Sequence, residues 1–509
     1  MIAAIPSATI VGARGHPVSV EVHVGKGLPG FLMLGLPDES CRESRDRVRA
    51  AVLSCNFEWP DKRITVNLAP PLYRKAGSGL DVAVAIGLLA ACGVIPVEAL
   101  TGLAFAGELG LDGSIRRIPG VAPMVGVLPD LDWVVPVESV PEARAVARGH
   151  VRPVAHLKEL VEVLTGLTGW PRYESVAYAS LAEPDLADLA EVKGQPYARL
   201  ALEVAAAGGH HLLFVGPPGS GKTMLARRLV GLLPDLTPDE ALETTMVHSA
   251  AGLQMPSGGL VVRPPFRSPH HTTSMAALVG GGGHIIRPGE ASLAHGGVLF
   301  MDEMGQFAPK TLDALREAIE EGCIMVGRVE QLRVPMPAKF QLVGATNPCP
   351  CGGGGPGDCV CDDRTRQRYL GRLSGPLLDR FDLRVAVNRP DIHDLLDGPA
   401  GESTATVATR IHRARTAALA RQGMLNAGLN DTDLGTYAAL TSEAERLLRS
   451  AAERDHLSAR GYHRVRRVAR TIADLTGDTE PADCVDEGAV ATALAMRSSL
   501  GPMALGLAA

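Results

Sequence analysis

The sequence predicts an α/β chain in three parts: an α+β unit over residues 1–168, a nucleotide-binding α/β sheet over residues 188–390 and an all-helical unit over residues 391–509. Three observations carry this. The length of 509 residues, divided by about 150 per domain, gives roughly three folding units, each large enough for its own core. Through the middle of the chain short apolar runs alternate with helix-length segments, as strands and helices do in an α/β sheet. From Asp391 onward glycine thins out, and Ala, Arg and Leu recur at helical spacing.

In the first unit, alternation over Val18–Val24 and Ile64–Leu68 predicts half-buried strands, while Asp38–Cys55 and Leu80–Cys92 predict helices. Asp112-Gly113, between Leu109 and Ile115, predicts a hairpin turn. The most apolar run, Val82–Ile95, is too short to span a bilayer and is interrupted by Gly87 and Gly93, so it reads as a buried core helix. A polar, proline-containing stretch from Gly169 to Leu189 reads as a linker. In the second unit the clearest buried strands are Leu212–Val215, Val298–Met301 and Phe340–Ala345. No internal repeat is visible.

Composition narrows the function. Lys and Arg number 50 against 56 Asp and Glu, so a net charge of -6 supplies no global basic field for nucleic acid, and any polyanion contact must come from a local patch. Hydrophobic residues at 46% and charged residues at 21% exclude a disordered or collagen-like chain. Aromatics at 4% are too scarce for a protein built mainly on stacking bases against rings. The first residues carry no basic leader ahead of an apolar block and do not read as a signal peptide, so the expected compartment is the cytoplasm and the nine cysteines are expected to be reduced.

The chemistry begins at Gly216-Pro217-Pro218-Gly219-Ser220-Gly221-Lys222-Thr223, which follows the apolar strand His211–Val215 and opens the helix Met224–Leu233. Glycines in that context let backbone N–H groups close round phosphates at a helix N-terminus. Lys222 is expected to reach the β- and γ-phosphates of ATP, and Thr223 to hold Mg²⁺. Val298–Met301 ends in Asp302-Glu303: Asp302 is expected to bind Mg²⁺ through its water shell, and Glu303 to position and polarise the attacking water. Asn347, at the end of the following strand, is placed to orient that water.

Four cysteines, Cys349-x-Cys351 and Cys359-x-Cys361, offer the count of soft ligands that a closed tetrahedral zinc site needs. The one-residue spacing within each pair is unusual for zinc, and a glycine-rich loop with free thiols fits the sequence equally well. Two segments offer cations to a polyanion: a hairpin over Val261–Glu290, with Arg263, Arg267 and Arg287 and a predicted loop tip at Gly280–Gly283, and a second hairpin over Cys323–Pro335 with Arg328 and Arg333. Arg460, Arg464, Arg466, Arg467 and Arg470 form a basic helix open to the same reading.

Together these motifs resemble a known family. The core is similar to the branch of AAA+ P-loop ATPases that contains magnesium chelatase motor subunits, and the whole chain resembles the bacterial YifB/ComM family. The residues behind the resemblance are Ala206–His211, Arg267–Thr272, Arg287–Glu290 with Leu293–His295, Ala345–Gly352 and Ser374–Arg380. The resemblance implies a homo-oligomeric ring, a hexamer, with ATP and Mg²⁺ at subunit interfaces and no membrane association. It assigns Arg380 as the arginine finger donated to a neighbour's γ-phosphate and Arg460 as the lid arginine sensing the same phosphate. It also implies single-stranded or branched DNA as partner, with ATP-driven branch migration during recombination of incoming strands. The alternative is a chelatase-type or protein-remodelling motor without direct action on DNA.

The first unit resembles the ribosomal-S5-type fold shared with Lon protease domains. Lys75–Leu80 matches the segment carrying Lon's nucleophilic serine at Ser78, and Gly107–Leu109 through Ile118–Ala122 matches the segment carrying its lysine, a position held here by Ala122. A serine without a base is a weak nucleophile, so proteolysis is not expected and Ser78 reads as a helix cap.

Overall fold

The computed structural model describes residues 2–72, 74–75, 77–173, 187–282, 286–327, 333–352, 359–454, 457–477 and 484–497. In the N-terminal part, β1 (Ile2–Val11), β2 (Arg14–Gly25), β3 (Gly30–Leu34), α1 (Glu39–Ser54), β4 (Arg63–Ala69) and α2 (Asp81–Ala91) build a sheet in the order β1-β2-β4-β3. The alternation in β2 turns Val18, Val20, Val22 and Val24 onto one buried face, where α2, buried on every side, packs against β1 and β2. Asp38 caps α1 by accepting the Cys41 N–H at 2.8 Å. Ser78 does not cap α2: that helix has no side-chain cap, and the Ser78 hydroxyl instead donates to the Glu108 carboxylate.

A smaller layer follows, with β5 (Leu103–Phe105), β6 (Glu108–Leu109), β7 (Ile115–Arg116), α3 (Val121–Val127), β8 (Asp132–Pro136), α4 (Val140–Arg144), β9 (Val151–Val154) and α5 (Leu157–Leu164). The β6–β7 hairpin turns through Asp112-Gly113 as predicted, pairing Leu109 with Ile115. Most of the predicted linker, residues 174–186, lies outside the described residues.

The second part contains α6 (Pro196–Gly208), β10 (Leu212–Val215), α7 (Lys222–Leu232), α8 (Pro238–Ala250), β11 (Phe266–Arg267), α9 (Met275–Val279), α10 (Glu290–Leu293), β12 (Val298–Met301), α11 (Pro309–Glu321), β13 (Cys323–Gly327), β14 (Arg333–Pro337), β15 (Gln341–Thr346), α12 (Asp363–Leu370), α13 (Gly375–Leu378) and β16 (Leu383–Ala386). Its sheet is parallel throughout, in the order β11-β12-β15-β10-β16. Strands β10, β12 and β15 are buried end to end, as continuous apolar strands covered on both faces must be. The third part is helical: α14 (Ile392–Asp397), α15 (Thr404–Gln422), α16 (Asp431–Tyr437), α17 (Ser442–Arg454), α18 (Ala459–Thr476) and α19 (Glu487–Ala495). Val407 and Ile411 of α15 and Val465 and Val468 of α18 join one apolar core with α6 and β10. Among the described residues no helix is long and apolar enough to cross a membrane.

The first part is fastened to the second through α8. The Gly120 and Ala122 N–H groups donate to the Ser249 backbone oxygen and Oγ at 2.8 and 3.1 Å, and Ser249 Oγ donates to the buried Glu142 carboxylate. Glu142 also faces Arg117 at 3.6 Å. The turn at Gly12 lies against Val334 and Met336 of β14, so the β13–β14 hairpin is seated on the N-terminal sheet.

The basic-helix reading of α18 does not survive. Arg464 is paired with Asp382, Arg466 donates to the Leu434 and Ala438 carbonyls, and Arg470 is fully buried against Asp474. These cations are used inside the protein, where burying an unpaired charge costs several kcal/mol. Arg460 lies exposed at the start of the helix.

Two titratable groups lie where the sheet meets the helical part. Burial alone would raise the Asp382 carboxyl, but the His210 hydrogen bond and the Arg464 charge hold it well below the usual carboxylate range. Beside it, burial pushes the His211 imidazole down from 6.5 to about 4, and its neutral Nδ1 accepts the Leu342 N–H at 3.0 Å. Because the unfolded chain takes up this proton first, the His211 contribution is complete above 6.5 and lost as pH falls toward about 4. For this group the slope is at most about 1.4 kcal/mol per pH unit. Asp382 adds nothing in that window, since its stabilisation is lost only below the ordinary carboxylate value. The urea midpoint is therefore expected to fall between about pH 7 and about pH 5, with a shallower slope in His211→Asn; identical slopes in the two proteins would remove this assignment.

Candidate nucleotide site

The parallel register sets the carboxyl ends of β12, β15 and β10 side by side, and the loops leaving those ends carry the predicted residues. In open α/β sheets this edge is where ligands bind. After β10 the chain turns through Gly216, where a Cβ would sit 2.0 Å from the Val387 oxygen, so no other residue fits. Gly219 and Gly221 take positive φ values of 75° and 87°. Helix α7 starts at Lys222 with Gly221 as its cap and no side-chain cap, which leaves its first-turn N–H groups for an anion.

Lys222 points back into this loop. Its Nζ donates to the Gly216 and Pro217 carbonyls at 2.8 Å each and to Asn347 Oδ1 at 3.2 Å. Burial lowers its pKa, opposed by the charges of Asp302 and Glu303. Thr223 Oγ1 donates to Asp302 Oδ2 at 2.8 Å. A hydroxyl and a carboxylate held together beside the phosphate loop are the hard oxygen donors that Mg²⁺ takes, directly or through the waters it keeps. The pair therefore fits the ion. Glu303 follows in a left-handed conformation at φ 48°, its N–H donating to Asp302 Oδ1 at 2.9 Å. The turn leaves its carboxylate half exposed toward the loop edge.

Three neighbours of this site went unread in the sequence. His271, beyond the end of β11, places Nδ1 3.4 Å from the Glu303 carboxylate. Gln195 Nε2 donates to the Ser220 carbonyl at 2.7 Å and to that of Asn388 at 3.1 Å, tying the phosphate loop to the segment that leaves β16. Arg389 Nε reaches the Pro218 carbonyl at 3.3 Å. Their partners are remote in sequence; His271 alone had a clue, lying in the Arg267–Thr272 segment that carries the family resemblance.

Arg380 stands elsewhere. It precedes β16, whose Leu383 pairs with Leu212 at the amino end of β10, so a strand's length of about 13 Å separates it from the phosphate-loop edge. The side chain is 6% exposed, paired with Glu320 at the end of α11 and donating to the Pro376 carbonyl at 2.6 Å. Burial, then the charges of Arg316, Arg460 and Arg464, lower its pKa, so these four guanidinium groups share one face. Arg460 thus sits with Arg380 and not with the phosphate loop of its own chain.

The predicted cationic segments are only partly open. Arg267 is held by Glu290 in two hydrogen bonds of 2.7 and 2.8 Å, and its segment is not a simple hairpin but contains β11, α9 and a Gly281–Arg287 bridge. Arg263, Arg287 and Arg333 are exposed. Arg328, Gly283 and the tip of the β13–β14 hairpin fall outside the described residues. Cys349, Cys351, Cys359 and Cys361 converge, with all four sulfur atoms within 4.8 Å of one another.

Known families and proteins match this chain over most of its length. Residues 188–395 match the family described as magnesium chelatase, subunit ChlI; residues 20–136 match subunit ChlI of Mg-chelatase, and residues 401–497 its C-terminal family. The chain is 45% identical to an uncharacterized protein of Mycobacterium tuberculosis, over 97% of this chain and 98% of that one. It is 41% identical to YifB of Escherichia coli over 91% and 92% of the two chains. It is 40% identical to the competence protein ComM of Haemophilus influenzae over 94% and 95%. With full-length similarity at this level and all three parts matched, the chain belongs to the YifB/ComM family of magnesium-chelatase-like proteins.

Proposed function

We propose that the protein is a Mg²⁺-dependent AAA+ ATPase that assembles as a hexameric ring, hydrolyses ATP between subunits and drives DNA through branch migration. The observation that carries the ring is the division of labour across the sheet. Lys222, Thr223, Asp302, Glu303 and Asn347 gather at the carboxyl edge, whereas Arg380 and Arg460 gather at the amino edge, beyond reach of their own phosphate loop. Two such half-sites are complementary only between copies.

In this reading the loop N–H groups and Lys222 bind the triphosphate, its oxygens taking over the contacts that the Gly216 and Pro217 carbonyls now make with Nζ. Thr223 and Asp302 would hold Mg²⁺, which supplies charge neutralisation between the β- and γ-phosphates. Glu303 accepts the proton of the attacking water, and Asn347, already aligned by Lys222, orients that water. The neighbour's Arg380 exchanges Glu320 for the γ-phosphate, and Arg460 senses the same group.

The first unit is proposed to keep a Lon-type S5 fold without its chemistry. Ala122 stands at the lysine position, and its backbone is engaged by Ser249. The ComM relative and the exposed Arg263, Arg287 and Arg333 favour DNA as the polymer. The internal pairing of α18 and of Arg267 favours the second reading, a chelatase-type or protein-remodelling motor. Turnover measured with single-stranded, duplex and branched DNA separates the two. The first reading expects stimulation that collapses with added salt; flat activity across all three substrates at low salt selects the second.

A further inference from the structure

We propose that Cys349, Cys351, Cys359 and Cys361 form a closed tetrathiolate site for one zinc ion, which clips the Asn347 loop against Pro218 of the phosphate loop.

The geometry is that of four ligands around a common centre. Sγ of Cys349 lies 3.2 Å from that of Cys351 and 3.5 Å from that of Cys359, and Cys351 lies 3.6 Å from Cys359. All four sulfurs fall within 4.8 Å of one another. A tetrahedron of thiolates with zinc–sulfur bonds near 2.3 Å has edges of about 3.8 Å, so the set closes on zinc with shifts of about an ångström or less. Disulfides are the competing use of four cysteines, yet a bonded pair sits at about 2.05 Å and would single out two partners. Here Cys349, Cys351 and Cys359 are nearly equidistant, and none of the four is joined to another by a disulfide. An iron–sulfur cluster is too large to be held by sulfurs this close together.

The sequence of the loop supplies the need for such a clip. Between Cys351 and Cys359 it reads Gly-Gly-Gly-Gly-Pro-Gly-Asp, without one apolar side chain to anchor it in a core. A sequence so rich in glycine loses much backbone entropy on ordering and offers almost no apolar side chain to offset it. Metal binding is the remaining source of order, and its free energy becomes folding free energy. Cys349 is itself buried at 1% exposure, so one ligand is anchored in the domain while the others close over it from the surface.

The clip adjoins the reactive edge. Gly352, at φ 77°, packs so closely that a Cβ there would lie 2.7 Å from Pro218 Cγ. Its N–H donates to the Cys349 carbonyl at 3.2 Å. Two residues before Cys349, Asn347 accepts from Lys222. On the far side Cys361 leads into α12, whose buried Tyr369 approaches Thr346 Oγ1 at 3.5 Å. The ion would thus join the end of β15 to the start of α12 and hold Asn347 in register with the phosphate loop, a structural role in which zinc touches no substrate.

The test is the metal content of the full-length chain, expressed in zinc-supplemented medium and purified without chelators or a metal-affinity step. Plasma mass spectrometry should find about one zinc per chain, released by an organomercurial, as expected of a closed four-cysteine site. The double variant Cys359→Ser, Cys361→Ser should lose the zinc, while Cys484→Ser, outside the cluster, should retain it. Wild-type protein without zinc, zinc unchanged in the double variant, or iron with visible absorption in its place would each overturn the proposal. The zinc stoichiometry is independent of ATP hydrolysis, so this result and the failure of the ATPase reading are distinguishable.

Discussion

Arg380→Ala is expected to leave ATP binding intact and to cut hydrolysis by about 10³- to 10⁵-fold, the range an arginine finger supplies. The two halves of that expectation follow from where the side chain stands. It stands at the opposite end of the sheet from the proposed phosphate loop of its own chain, because β16 and β10 run parallel and in register. Its removal therefore takes nothing from the cradle formed by Lys222, Thr223 and the α7 N-terminus. A finger acting between copies also makes a prediction that no local role makes. Lys222→Ala protein has a disabled loop but an intact Arg380, and Arg380→Ala protein has the reverse. Each should be inactive alone. Mixed, they should regain turnover, because a ring that alternates them contains seams with an intact loop facing an intact finger. A structural role for Arg380 predicts no recovery on mixing. So does a finger that serves its own chain. The pairing with Glu320 adds a control, since Glu320→Gln removes the present partner of Arg380 without removing the finger and should leave hydrolysis largely standing.

Much of this arrangement was legible in the sequence, for identifiable reasons. Leu212–Val215 and Val298–Met301 read as strands to the residue because a strand covered on both faces has to be apolar throughout. The Asp112-Gly113 hairpin was legible because its chemistry is local. What the sequence concealed is tertiary. Strand β11 is two residues long and carries no periodicity, so its segment read as a hairpin. The arginines of α18 looked like one basic surface, since nothing in their spacing announces that Asp382, Asp474 and two carbonyls of α16 and its end await them. Ser78 resembled a cap for the same reason, its true partner Glu108 lying on another element. Within the site, the loop and both carboxylates could be named from motif alone, but the approach of His271 and Gln195 depends on which strands are neighbours.

The second large effect is expected of Glu303→Gln, in which turnover falls by about 10²- to 10⁴-fold while ATP affinity stays within a few-fold. The contrast with Asp302 is the basis of the argument. Asp302 is bonded to Thr223 and shares with it the position that fits Mg²⁺, so Asp302→Asn should weaken Mg²⁺-dependent nucleotide binding itself. Glu303 has no part in that pair. Its left-handed backbone turns it away from the strand axis, and its side chain meets His271 rather than the loop. Glutamine keeps the volume and can still meet the imidazole, yet it takes no proton from water. The loss should therefore appear in kcat and leave KM nearly unchanged, the signature of an interaction made only as the water attacks. Nucleotide bound to the variant should be recovered as ATP rather than ADP, which separates a failed chemical step from failed binding. If Glu303→Gln instead raises KM with kcat intact, the carboxylate is a binding group and the base lies elsewhere on the same edge.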